Sequence, residues 1–72
     1  MEQELTPHLK CDVELELSGP NDDTINKWAA DALRKAADVV ESGALDAGFH
    51  PIMDNTGKKV GELYLDHSEG DF

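Results

Sequence analysis

From Leu9 to Leu17 apolar and polar residues alternate. Leu9, Cys11, Val13, Leu15 and Leu17 fall on one side, and Lys10, Asp12, Glu14 and Glu16 on the other. A period of two predicts a strand that buries one face, and Ser18-Gly19-Pro20-Asn21 ends it with turn residues. The period then lengthens. Ile25, Trp28, Ala29, Ala32, Leu33, Ala36, Val39 and Val40 recur at steps of three and four, the apolar stripe of a helix. Asp22, Asp23 or Thr24 can cap its start, and the two carboxylates suit the positive end of the helix dipole. Gly43 stands where a glycine would close it. On the outer face Lys27–Asp31, Asp31–Lys35 and Arg34–Asp38 are four apart and can pair.

The last third reads as a hairpin. Gly48–Met53 and Lys59–Leu65 flank Asp54-Asn55-Thr56-Gly57-Lys58. Asp is favoured at the first position of a type I turn. Gly57 can take the left-handed conformation that closes a three-residue loop. This pairing sets Phe49 opposite Leu63, both facing the helix. Depending on the register, Ile52, Val60 and Tyr64 form a small apolar patch on the other face. Pro51 cannot donate to a central ladder, so its strand belongs at an edge. The expected fold is therefore α+β: a β-α-β-β chain whose three strands form an antiparallel sheet in the order 1-3-2, with one helix packed on one face. Residues 1–72 read as a single domain with an ordered core over about 9–67 and flexible acidic termini at Met1–His8 and Ser68–Phe72.

Composition narrows the function classes. Sixteen acidic residues against six basic ones give a net charge of −10, which repels nucleic acid and anionic membranes and attracts basic surfaces. Acidity that serves only solubility is the competing explanation. No stretch is long and apolar enough to cross a membrane. Met1-Glu2-Gln3-Glu4 lacks the basic and apolar regions of a signal peptide, which points to a cytoplasmic protein. The lone Cys11 cannot form an internal disulfide and reads as a small buried apolar residue.

The chain carries no motif for chemistry. His8, His50 and His67 lack short metal-ligand spacing, although pairing of the first and third strands would bring His8 and His67 close, beside Asp66. Asp54-Asn55-Thr56-Gly57-Lys58 superficially resembles a calcium loop, but Lys58 occupies the fifth ligand position. Gly57 and Gly61 do not precede a helix, so they cannot cradle a phosphate. Ser18, Ser42 and Ser68 sit in turn, helix-end and tail contexts with no adjacent base. No catalytic residue, metal or cofactor is expected, and an enzyme is the least favoured class.

One surface remains. A single helix covers one face of the sheet and leaves the other open. There the alternation sets Asp12, Glu14 and Glu16 of the first strand beside Glu62, Tyr64 and Asp66 of the third. Residues two apart in a strand lie about 6.8 Å apart and neighbouring strands about 4.8 Å apart. Five carboxylates thus share a small area, with Lys10 as their local counter-charge. Such a face suits docking onto the basic surface of a protein partner, the carboxylates standing in for phosphates and the tyrosine acting as an anchor. A homo-oligomeric accessory module, joined at the Pro51 edge strand or around Tyr64, is the alternative; a homodimer is its simplest form. A solvated polar face is what any half-buried sheet shows.

Three features also carry a resemblance: the alternating strand Val13-Glu14-Leu15-Glu16-Leu17, the alanine-rich helix from Ala29-Ala30-Asp31-Ala32-Leu33 to Glu41-Ser42-Gly43, and the closing hairpin around Asp54-Asn55-Thr56-Gly57-Lys58. Over roughly residues 11–66 the chain resembles the small acidic β-α-β-β proteins of phages and other mobile elements. Some proteins of this size and acidity are anti-CRISPRs. The resemblance implies a cofactor-free inhibitor that acts in the cytoplasm of a host cell and occludes a nucleic-acid-handling assembly such as a CRISPR effector complex. It has no shared site motif and transfers no functional residue.

Overall fold

The structure, a computed structural model, describes residues 5–70. Strand β1 (Thr6–Leu15) leads into helix α1 (Asp22–Ser42), which is followed by β2 (Gly48–Met53) and β3 (Lys59–Gly70). The sheet order is β1-β3-β2 and both pairings are antiparallel. The α+β architecture and the edge position of the Pro51 strand are thus as the sequence predicts.

The strands are longer than their apolar alternation. Thr6, Pro7 and His8 belong to β1, opposite Gly70, Glu69 and Ser68 of β3, so neither the first eight residues nor the last five form an arm throughout. The ladder tolerates Pro7 because its ring nitrogen faces away from β3. Residues 1–4 and 71–72, also expected as flexible termini, lie outside the described residues.

The cap of helix α1 is Asn21, one residue before the expected Asp22, Asp23 or Thr24. Asn21 has an extended backbone (φ −160°, ψ 167°), and its side-chain oxygen accepts from the Thr24 amide at 2.9 Å. With the cap there, Asp22 and Asp23 both fall in the first turn, where the exposed amide ends favour negative charge. Gly43 closes the helix at φ +74°, and its amide donates to the Val40 carbonyl at 3.1 Å. On the outer face Asp31 collects Lys27 (2.9 Å) and Arg34 (3.2 Å), while Lys35 donates to Asn55 of the hairpin loop (2.7 Å) in place of Asp31. The Lys27 ammonium is the main reason the Asp31 carboxyl sits below its ordinary range.

The hairpin turn has the predicted form. Asp54 N–H donates to Lys58 O (2.8 Å) and Gly57 N–H to Asp54 O (3.1 Å), with Gly57 at φ +86°. The pairing beyond it does not follow. Met53 faces Lys59, but the next pair is Ile52↔Gly61, because Val60 is an extra residue in β3. This bulge slips the register by one and exchanges the faces. Phe49 pairs with Tyr64, not Leu63, and points away from the helix. The bulge turns Val60 inward, and with Ile52 it enters the core, so the expected patch of Ile52, Val60 and Tyr64 is dissolved.

The buried core is Ala32, Ile52, Val60, Leu63 and Leu65, flanked by Leu15, Leu17, Ala36, Val40 and Leu45. Two alanines at the contact let the helix lie close to the sheet. Its reach is limited, since 21 residues of helix span about 31 Å and 12 residues of strand about 40 Å. Leu9 and Val13 of the intended core face are consequently 43% and 44% exposed, and Cys11 is exposed rather than buried. Leu33 and Val39 flank the helix contact and are also largely exposed. Trp28 likewise is no core residue. It is 43% exposed, with its ring edge against Gly19, where an added Cβ would meet it at 2.9 Å.

Candidate protein-binding face

Two strands build the outer face of the sheet from a single register. Glu14 lies opposite Glu62, Asp12 opposite Tyr64, and Lys10 opposite Asp66. Cross-strand partners project to the same side, so Asp12, Glu14, Glu62, Tyr64 and Asp66 gather as the alternation predicts. Glu16 follows just past the end of β1, where its amide still donates to Val60 O at 2.8 Å. All the carboxylates are exposed, and Tyr64 is half-buried.

The face also has features that the alternation does not reveal. The slipped register delivers Phe49 to it, 71% exposed, with its ring 4.8 Å from that of Tyr64 at a 46° tilt. Pro51 stands beside Glu62 on the same side. An aromatic pair on a polar sheet face offers a partner an apolar centre ringed by charge. Gly61 is the sequence signal for this arrangement, because glycine inside a strand marks a bulge or a close backbone approach. An ideal Cβ at Gly61 would lie 2.0 Å from Glu14 O, so β1 closes on β3 only over a glycine.

The like-charged pair Glu14↔Glu62 costs stability, of order 0.2–1 kcal/mol for directly opposed charges. One lysine offsets it, and a second balances its neighbour Asp12. Lys59 holds Glu62 at 2.6 Å, and Lys10 approaches Asp12 at 3.9 Å. Lys10 is therefore not the face's only counter-charge. Asp12, Glu62 and their lysines are all highly exposed, so these pairs contribute little stability and yield readily to a competing cation.

The acidic rim continues around the end of the sheet. Glu14, Glu16 and Glu62 border an open groove of about 720 Å³ between the helix and the hairpin tip, floored by Leu17, Trp28 and Val60. Two of the expected neighbours do not meet. His67 pairs with Leu9 and His8 with Ser68, which sets the two imidazoles on opposite faces of the ribbon. Among the described residues, no three His, Cys, Asp or Glu side chains are grouped to hold a metal ion. No described helix is long and apolar enough to cross a membrane.

No family model, curated protein or solved structure matches this chain.

Proposed function

We propose that this protein is a non-catalytic binding module. In this reading its open sheet face docks onto a basic, nucleic-acid-binding surface of a protein partner and inhibits that partner by occlusion. The observation that carries the reading is the joint placement of Asp12, Glu14, Glu62 and Asp66 around the Phe49–Tyr64 pair. Carboxylates left in water attract a basic surface over roughly a Debye length, about 8–10 Å at physiological salt. The aromatic pair then gives short-range affinity of the kind that anchors interfaces. A net charge of −10 argues against direct contact with nucleic acid or an anionic membrane, and for a partner whose own ligand is polyanionic. Effector complexes that clamp a guide nucleic acid in a basic channel, such as those of CRISPR systems, are partners of that chemistry.

The test is capture of partners by the tagged protein from lysate of its natural host, washed at low and then high salt and read by mass spectrometry. A nucleic-acid-binding assembly retained at low salt and released at high salt supports the proposal. Retention that is indifferent to salt, or capture of partners without a basic surface, contradicts it.

A further inference from the structure

Among the described residues β1 pairs only with β3, and its other edge points to a second copy of this chain as its occupant. The direction of its hydrogen-bonding groups follows from one bond. Glu16 N–H donates to Val60 O across the β1–β3 pair, and directions alternate along a strand. Even-numbered residues of β1 therefore bond to β3, while Leu9, Cys11 and Val13 turn their amides and carbonyls outward. Pro7 agrees, since its position opposite Glu69 needs no donor. The opposite edge of the sheet is different. There the outward-facing positions of β2 include Pro51 in mid-strand, which removes a donor and blunts the edge. The β1 edge carries no such block between Leu9 and Leu15.

The residues along that edge are complementary to themselves. We propose that two copies pair their β1 strands antiparallel about a two-fold axis at Cys11, joining two three-stranded sheets into one of six. In this register Lys10 lies opposite Asp12 of the second copy, His8 opposite Glu14, Leu9 opposite Val13, and Pro7 opposite Leu15. Leu9, Cys11 and Val13 exchange main-chain hydrogen bonds in pairs, and the Pro7 carbonyl accepts from the Leu15 amide. The charged pairs occupy the alternate positions, where opposed side chains approach most closely. Sliding by one step in either direction sets Lys10 against Lys10, or Asp12 against Asp12. Of these three registers only the one centred on Cys11 opposes no like charges, which matters in a chain whose net charge of −10 works against self-association. The exposed Leu9 and Val13 gain apolar neighbours across the seam, and the two open faces merge into one continuous surface. The seam shares Asp12 and Glu14 with the proposed docking face, but it does not rest on that face having a partner.

Amide hydrogen exchange and sedimentation over a range of concentrations test it on the intact protein. The expected result is a dimer in which the amides of Leu9, Cys11 and Val13 become protected as concentration rises. Lys10→Asp should weaken the dimer by about tenfold, because it reverses two symmetric pairs at once. Adding Asp12→Lys to that variant should restore the affinity, since the exchanged charges are again opposite. Cys11 is the only cysteine, so a short thiol–thiol crosslinker should join two wild-type chains and join markedly fewer at the same concentration with Lys10→Asp alone. A monomer at every concentration overturns the proposal. So does a dimer whose three edge amides stay unprotected, or one that is indifferent to Lys10→Asp.

Discussion

Replacing Gly61 with alanine should destabilise the protein severely, although glycine in a strand is normally the poorer residue. The φ angle at Gly61 is not positive, so on backbone grounds alone alanine should stabilise by about 0.4–1 kcal/mol through the unfolded chain. The packing gives the opposite sign. A Cβ there would lie 2.0 Å from Glu14 O, 3.0 Å from Glu14 C and 2.8 Å from the Leu15 side chain. A carbon needs about 3.3 Å from such an oxygen, so β1 must retreat by roughly 1.3 Å. That would break the 2.8 Å Glu16–Val60 bond, worth about 1 kcal/mol. Overpacking against backbone costs about 1–3 kcal/mol more. Less the backbone gain, the net cost is about 1–3.6 kcal/mol, a large part of the about 3–5 kcal/mol expected of so small a core. Urea unfolding of wild type and Gly61→Ala at one protein concentration, followed by circular dichroism, should show the midpoint falling by about 1–3 M. A midpoint within about 0.5 M of wild type, or above it, would refute the close-approach reasoning.

Two further substitutions probe single contacts. Asn21→Ala removes the acceptor of the Thr24 amide and should cost about 1 kcal/mol in the same unfolding assay, whereas Asp23→Ala, which is not the cap, should cost less. Asp54 is held below its ordinary value of 3.8, first by the Thr56 hydroxyl and then by the Lys58 and Thr56 amides that it accepts. A lowered carboxyl pKa stabilises the fold above the unfolded value, and the gain is lost as pH falls through the lowered one. The stability gap between wild type and Asp54→Ala should therefore be widest near neutrality and shrink at acid pH; a gap that stays constant with pH would contradict this.

The sheet order was readable because it rests on strong local signals. These are the alternation from Leu9 to Leu17, a 21-residue amphipathic helix closed by Gly43, and Pro51 assigning its strand to an edge. The acidic row was readable for the same reason, since β1 and β3 pair without a register shift. Phe49 was misplaced because one inserted residue, Val60, changes every facing beyond it. Gly61 hints at such a bulge but does not say which side chain turns inward. The exposure of Leu9, Cys11 and Val13 is a question of reach. Alternation reports which side a residue faces, and not whether a helix extends far enough to cover it. Asn21 and Asp22 are both good caps by composition, and the choice between them depends on the path of the preceding turn.

The acidic face is the centre of the functional account, and position-specific charge reversal tests it most directly. Glu14→Lys with Glu16→Lys changes the open face, and Asp38→Lys with Glu41→Lys makes the same change in net charge on the helix. Both variants should fold, as circular dichroism will show. The affinity of each for the captured partner is then compared with wild type at equal ionic strength. The sheet-face variant should lose binding while the helix variant retains it. Equal losses in the two would reduce the effect to net charge, and unchanged binding in the sheet-face variant would remove this face from the mechanism.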